Sequence, residues 1–290
     1  MTDVLQPRSV LRQHPAHRDD IGDLVTRRPV PGPGIEQIDP FLFLNHHGPQ
    51  TYPPNNRGLP FGPHPHRGFE TVTFILEGEL AHNDSGGGES IIRAGGVQWM
   101  TAGSGLIHAE LSPESFKRAG GPMEILQLWV NLPGRLKMTA PNYVGLQAAD
   151  LPTFRTDAGV TVEPVSGSWL GVEAPIQSLI DIHLAVLRME SGGRIEVPIA
   201  RGRNVFLYGV AGSVSVGGTA VAPWRLVELN DDGDTVEISA EGAAIVLLGH
   251  ARPIGEPVFS HGPFVMNTRE EIVQAIHDYQ AGRFGPPPAV

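Results

Sequence analysis

Apolar residues in this chain fall in short runs of four to eight, separated by Gly, Pro, Asn and Asp, and the helical spacing i, i+3, i+4 is rare. Runs of that length, rich in Val, Ile, Thr and Phe, predict β-strands with turns between them. Between residues 61 and 132 the pattern predicts strands over Thr71–Leu76, Ser90–Arg93, Val97–Thr101 and Ile125–Val130. Glu77-Gly-Glu79 and Asn83-Asp-Ser-Gly-Gly-Gly88 mark turns among them. Strands at this even spacing imply an antiparallel barrel or jelly roll. Earlier residues read as strands and loops broken by Pro29-Val-Pro-Gly-Pro33 and Pro53-Pro-Asn-Asn56, and residues 133–180 read as a linking segment.

A second strand-rich run covers Ile182–Met189, Arg194–Pro198, Val205–Val210, Ser213–Val216, Leu226–Leu229, Thr235–Ser239 and Ala244–Leu248. Its middle echoes the first: Phe74-Ile-Leu-Glu-Gly-Glu-Leu80 resembles Tyr208-Gly-Val-Ala-Gly-Ser-Val214, which aligns Gly78 with Gly212. The expected architecture is all-β, two jelly-roll barrels, with domains at 1–135 and 136–290. Helical periodicity appears only near the end. Thr268-Arg-Glu-Glu271 is a capping-box pattern; Ile272, Ile276 and Tyr279 follow at helical spacing, and Gly282 and Pro286-Pro-Pro288 supply the stop. A short helix therefore closes the second domain.

Composition narrows the chemistry. Gly (36) and Pro (27) are abundant but dispersed between apolar runs, which suits many turns and not a disordered tract. A formal charge of −10, with no long Lys/Arg run, argues against direct contact with nucleic-acid phosphates. There is no cysteine, so neither disulfides nor thiolate ligands are available. No signal-like or membrane-length apolar run occurs, so the expectation is a soluble cytoplasmic protein without a membrane partner.

The candidate chemistry lies in two short motifs. In Gly62-Pro-His-Pro-His-Arg-Gly-Phe-Glu-Thr71, His64 and His66 stand at i and i+2, the spacing that puts side chains on one face of a strand with Cα atoms about 6.6 Å apart. Two imidazoles so placed can converge on one metal ion at about 2.0–2.1 Å each. Downstream, Gly103-Ser-Gly-Leu-Ile-His-Ala-Glu110 repeats the i, i+2 relation with His108 and Glu110. Three histidines and a carboxylate nearly complete a shell for a divalent ion and leave positions open for an incoming molecule. Ligand identity alone does not choose among Fe(II), Mn, Co, Ni, Cu and Zn. The fourth ligand stays open at this level: Glu70 shares parity with His64 and His66, whereas Glu110 has the same warrant beside His108. Whichever does not ligate can orient a histidine from behind.

H-x-H-x3-E followed by G-x-x-H resembles the two-part signature of the cupin superfamily, built on the jelly roll. The likeness then narrows. The chain resembles the pirins through Gly62–Thr73, Gln98-Trp-Met-Thr-Ala-Gly-Ser-Gly105 leading to His108-Ala-Glu110, Leu126-Gln-Leu-Trp-Val-Asn-Leu-Pro133, Gly262-Pro-Phe-Val-Met-Asn267, Asp278-Tyr-Gln280 and Phe284-Gly285. That resemblance implies a bicupin whose N-terminal barrel holds iron through His64, His66, His108 and Glu110, with Glu70 in support and a second barrel generally without metal. The offset of 134 between the repeats agrees, since it sets Pro198 and Ala200 opposite His64 and His66.

The resemblance also implies an activity: cleavage of flavonols such as quercetin by O2, with Glu110 accepting the proton of the 3-hydroxyl. The alternative it implies is an iron-binding, redox-sensing regulator that acts through a protein partner. A zinc hydrolase is a third and weaker reading. Other histidines carry less. His46-His47 read as a loop or satisfied buried pair, His183 and His250 as core residues, His82 as a neighbour of the Gly-rich turn, and His14, His17, His261 and His277 as surface or loop positions. Trp99 and Met100 are expected to fill the barrel.

Overall fold

The computed structural model describes residues 5–289, which divide into two compact β units. The first expected strands are all present. Thr71–Leu76 lies inside Phe69–Glu77, Ser90–Arg93 inside Glu89–Arg93, Ile125–Val130 inside Gly121–Asn131, and Val97–Thr101 is a strand over just those residues. The larger, seven-stranded sheet of the histidine-bearing unit begins Asn142–Leu146, Val97–Thr101, Phe69–Glu77, Gly121–Asn131, Phe41–Tyr52, each of these pairs antiparallel, and continues through Thr26–Val30 to His17–Arg18. The smaller sheet runs Phe61–His66, Leu106–Leu111, Glu79–Asp84, Glu89–Arg93. This is a jelly roll: two antiparallel sheets with their inner faces turned toward each other.

The companion unit repeats the plan. Its larger sheet contains Val10–Pro15, Arg225–Leu229, Asn204–Ala211, Ala244–Ala251, Ile182–Met189, Val160–Ser166 and Phe154–Arg155, in that order. Its smaller sheet is Arg194–Pro198, Thr235–Ala240, Val214–Val216 and Thr219–Val221. The repeat seen in sequence is real at the level of backbone. Gly78 and Gly212 both take left-handed φ, 84° and 69°, at the same hairpin, and a Cβ on either would meet a backbone carbonyl, Pro122 O at 2.7 Å or Ala243 O at 2.2 Å. Only glycine fits such a turn without strain.

The units are not two contiguous stretches meeting at 135/136. The histidine-bearing unit takes Arg18–Arg28, Phe41–Asp150 and everything from Ile254 on; its companion takes the residues up to His17, Pro29–Pro40 and Leu151–Pro253. Pairing dictates this exchange of ends. Val10–Pro15 adds an edge strand beside Arg225–Leu229. The C-terminal helix packs Ile272 and Ala275 into a cluster with Ile107, Phe264, Met266 and Phe284. The segment 133–180, read as a linker, in fact carries the strands Asn142–Leu146, Phe154–Arg155 and Val160–Ser166. A short helix, Glu114–Ala119, had no periodic signal of its own.

The terminal helix spans Arg269–Gln280, and Thr268 caps it with the reciprocal Glu271 contact expected from the capping box. Its buried face is Ile272, Ala275 and Asp278, so the stripe lies slightly off the predicted one, and Tyr279 is exposed. Among the described residues no helix is long and apolar enough to cross a membrane.

The barrel interiors differ. Val197, Ile199, Val205, Leu207, Val236 and Ile238 belong to one continuous aliphatic core in the companion unit. Each such side chain removed from water contributes about 1.5–3 kcal/mol. Gly212→Ala should destabilise this unit by more than about 1 kcal/mol, because the alanine meets a carbonyl in a left-handed turn. Chemical denaturation of the two proteins measures the difference.

Candidate metal centre

The inner face of the smaller sheet brings the histidines together. His108 sits directly across the ladder from His64, and Leu106 across from His66. The donor atoms of His64, His66 and His108 all lie within 4.8 Å of one another. Their ring centroids are 4.3 Å apart for His64–His108, 4.8 Å for His64–His66 and 4.9 Å for His66–His108, with ring planes inclined by 55° or more. Inclined, converging rings aim their nitrogens at a common point, where stacked rings would not.

Hydrogen bonding prepares each ring. Nδ1 of His64 reaches the Gly62 carbonyl at 2.8 Å, and Nδ1 of His66 the Pro263 carbonyl at 3.3 Å. A carbonyl only accepts, so each Nδ1 carries the proton and each Nε2 keeps a bare lone pair, the tautomer a metal requires. His108 is fully buried and neither ring nitrogen has a partner. An unpartnered buried polar group costs about 1–3 kcal/mol. A metal ion offsets that cost, and the residues present fit one.

Burial favours the neutral form of two of these histidines. It pushes His66 down to about 3, helped by the neighbouring His64, and it pushes His108 well below the usual imidazole range, with His66, His64 and His82 adding to the effect.

Glu110 follows His108 on the same strand and is buried, but its carboxylate is outside the group of donors that converge. Oε1 accepts from Thr73 Oγ1 at 3.1 Å and from the Gln98 amide, and Oε2 accepts from Gln127 Nε2 at 2.5 Å. The backbone explains the offset: the ladder slips between His108 and Glu110, so the glutamate pairs with Phe61. The three donors come from the facing sheet and hold the acid ready beside the trio.

Glu70 does not face inward. Parity fails because the chain does not run on as one strand: Phe61–His66 and Phe69–Glu77 belong to different sheets, joined at Gly68 with φ 89°. Along Phe69–Glu77, Thr73 points to Glu110, so Glu70 points to the opposite face. There it accepts from Thr101 Oγ1 at 2.6 Å, and burial raises its pKa against the hydrogen bonds from Thr101 and Trp99. It therefore neither joins the trio nor orients a histidine.

Several residues of the site gave no usable signal in the sequence. His82 lies beside the Gly-rich turn but is fully buried, 5.4 Å from His108, with Nε2 donating to Asp84 at 2.9 Å and its ring stacked on Tyr143 at 3.9 Å. The Tyr143 hydroxyl donates to Gln98 Oε1 at 3.2 Å and so joins the network around Glu110. Lys137 is buried; its ammonium donates to Gly68 O at 2.8 Å, Asn131 Oδ1 at 2.6 Å and Val265 O at 3.1 Å, and burial pulls its pKa down to about 8. Only a strand alternation that crosses Leu80–Asn83 could have turned His82 inward on paper.

The remaining histidines divide. His46 and His47 are a satisfied buried pair, bonded to Glu124 Oε1 and Thr26 Oγ1, each at 2.8 Å. His183 and His250 stack at 4.4 Å, the latter buried and bonded to Arg203. His14, expected at the surface, is buried against Glu228. Trp99 and Met100 are buried in the sheet as expected.

Solvent reaches the centre from one side. His64 is the half-buried member of the trio, and the half-buried Trp129 stands edge-on to His66 at 5.3 Å, stacked on Phe43 at 4.7 Å. The hollow on the other side of Glu110, between His47, Phe61 and Leu80, admits no sphere the size of water. A cleft of about 630 Å³ lies on the companion unit around Arg194 and Glu237, away from the histidine trio.

A jelly roll with three convergent histidines and an adjacent clamped acid has the make-up of a cupin whose site could hold a metal ion. Residues 23–130 match the family described as Pirin and residues 184–285 the Pirin C-terminal cupin domain, and the chain belongs to the pirin family. It is 44% identical over 254 residues to a pirin-like protein of Caulobacter vibrioides, covering 87% of this chain and 90% of that one. It is 39% identical over 285 residues to a Pseudomonas aeruginosa protein named "Putative quercetin 2,3-dioxygenase", covering 95% and 97%. The crystal structure of quercetin 2,3-dioxygenase from Acinetobacter baumannii superimposes with a TM-score of 0.91 at 31% identity, over 97% of this chain and 99% of the other.

Two outcomes are expected. His108→Ala should abolish tight binding of one equivalent of Ni(II) or Fe(II), read by calorimetry, while circular dichroism keeps its β signature. Metal-free protein should lose stability as pH falls from about 6.5 towards 3. His66 has a folded pKa near 3, below its unfolded value, so the unfolded chain takes up the proton first. Each such histidine steepens the slope by about 1.4 kcal/mol per pH unit, measurable by urea denaturation at pH 7, 6, 5 and 4.

Proposed function

We propose that this chain is a pirin-type dioxygenase that opens flavonols such as quercetin with O2 at a single divalent metal, most consistent with Fe(II), held by His64, His66 and His108 with Glu110 as fourth ligand. The observation that carries this reading is the fully buried His108, both nitrogens unpartnered, at the convergence of two histidines whose Nε2 lone pairs are already freed. The relative named for quercetin cleavage and the superimposable dioxygenase structure support the choice of substrate class. In the companion barrel the ladder partners corresponding to His64 and His108 are Pro198 and Thr235, which supports a single centre.

When bound, the ion supplies a Lewis acid and a one-electron site at which a flavonol oxygen and O2 can meet. The protein's own part is proton handling and orientation. Glu110, gripped by Gln98, Gln127 and Thr73, is the acceptor for the proton of the flavonol 3-hydroxyl. Phe43 and Trp129 offer stacked aromatic faces beside His66, where a planar polyphenol gains by offset stacking. Phe69, fully buried, packs against both His66 and Trp129 and holds those rings in place.

The tight interior beside Glu110 favours a second reading, an iron-dependent regulator whose oxidation state alters affinity for a protein partner. A typical small-molecule site encloses about 300–1,000 Å³, so the substrate must enter from the His64–Trp129 side. Aerobic incubation of iron-loaded protein with quercetin decides between the two. Loss of the flavonol absorbance, reduced about 100-fold or more in Glu110→Gln that still binds metal, is the expected result. No turnover with Fe, Ni, Mn, Co, Cu or Zn removes the dioxygenase reading, and capture of a partner dependent on Fe(II) against Fe(III) then supports the regulator.

A further inference from the structure

We propose that the C-terminal segment from Pro263 to Asp278 is a working wall of the metal centre, with Asp278 as a positioning residue, so that metal affinity and docking of the terminal helix are coupled. This rests on the reading of the histidine trio as a metal centre.

The strand that carries two of the three histidines, Phe61–His66, is an edge strand interrupted by Pro63 and Pro65, laddered on one side to Leu106–Leu111 and followed by the left-handed Gly68. Further bracing comes from nearly 200 residues away. The Pro263 carbonyl accepts from His66 Nδ1 and also from the Arg67 amide, each at 3.3 Å, and the Val265 amide returns a bond to Arg67 O at 3.0 Å. The Lys137 ammonium then ties Gly68 O to Val265 O. At Gly68 the approach is so close that a Cβ would lie 2.0 Å from Val265 O.

Arg67, the neighbour of ligand His66, extends this grip to the helix. Its guanidinium donates to Asp278 Oδ2 at 2.8 Å and to Ser104 O at 2.7 Å, and it lies 4.6 Å over the Phe284 ring. Both side chains of the Arg67–Asp278 pair are at least nine-tenths buried. A buried pair of this kind has one good geometry, so any shift of the helix is felt at Arg67 and hence at His66. By linkage, whatever metal binding contributes to helix docking, helix docking returns to metal binding. Groups that act behind a metal histidine in this way typically change affinity by about 10–100-fold.

The test uses the full chain with Ni(II) as probe and no flavonol, so failure of the dioxygenase reading moves neither readout. Hydrogen exchange across Arg269–Gln280 should slow on saturation of the wild-type protein with Ni(II). Asp278→Asn should weaken Ni(II) binding about 10-fold or more, and Asp278→Glu should recover most of it. Helix exchange indifferent to Ni(II), or wild-type affinity in Asp278→Asn, overturns the proposal. If Asp278→Asn does not fold, the wild-type exchange measurement decides alone. Wild-type protein that takes up no Ni(II) sinks both this inference and the metal centre on which it rests.

Discussion

Everything at this centre follows from keeping imidazoles neutral and under-bonded inside a dry barrel. Water would satisfy a histidine cheaply on the surface; the interior of a jelly roll cannot. Removing His66 and His108 from solvent strips their protons and leaves lone pairs with nowhere to go except a Lewis acid. Once that is set, the rest of the local design is constrained. The ring that could rotate is fixed by the Gly62 carbonyl, and the neighbouring acid is hydrogen-bonded by two amides and a hydroxyl instead of by solvent. Even the missing Cβ at Gly68 belongs to this constraint, because the turn must lie flat against backbone to point both histidines inward.

How much of this was legible in the residues depends on how local the cause is. Strand periodicity is local, so each strand expected after residue 180 falls on an observed one, though the short Thr219–Val221, Phe259–His261 and Phe264–Met266 were missed, and the capping box located the terminal helix. The i, i+2 histidines were legible for the same reason. Parity misled at Glu70, since two-residue alternation holds only while a strand continues, and Gly68 ends one sheet and begins another. Lys137, His82 and Asp278 were illegible for a different reason. A buried charge or imidazole is defined by partners such as Val265, Asp84 and Arg67, and nothing in the flanking residues encodes those distant partners.

The two barrels make a natural comparison of chemistry on one scaffold. Both have a seven-stranded and a four-stranded sheet and the same glycine hairpin, yet one interior holds His, Glu, Gln and Thr and the other Val, Ile and Leu. The aliphatic interior is a source of stability and asks for no ligand. The polar one gives up that hydrophobic contribution for reactivity, which is the usual exchange at functional sites. A repeated fold therefore does not imply a repeated function, and the ladder positions of His64 and His108 show where the divergence lies.

The interleaving of chain segments carries a consequence for biogenesis. A ribosome delivers the companion unit's last residue, Pro253, before it delivers Ile254 and the wall that closes around His66. The histidine-bearing barrel, most of which is made before residue 150, is thus the one that must finish last. During synthesis its histidine strand lacks part of its bracing until Pro263 and Val265 emerge to bond His66 and Arg67.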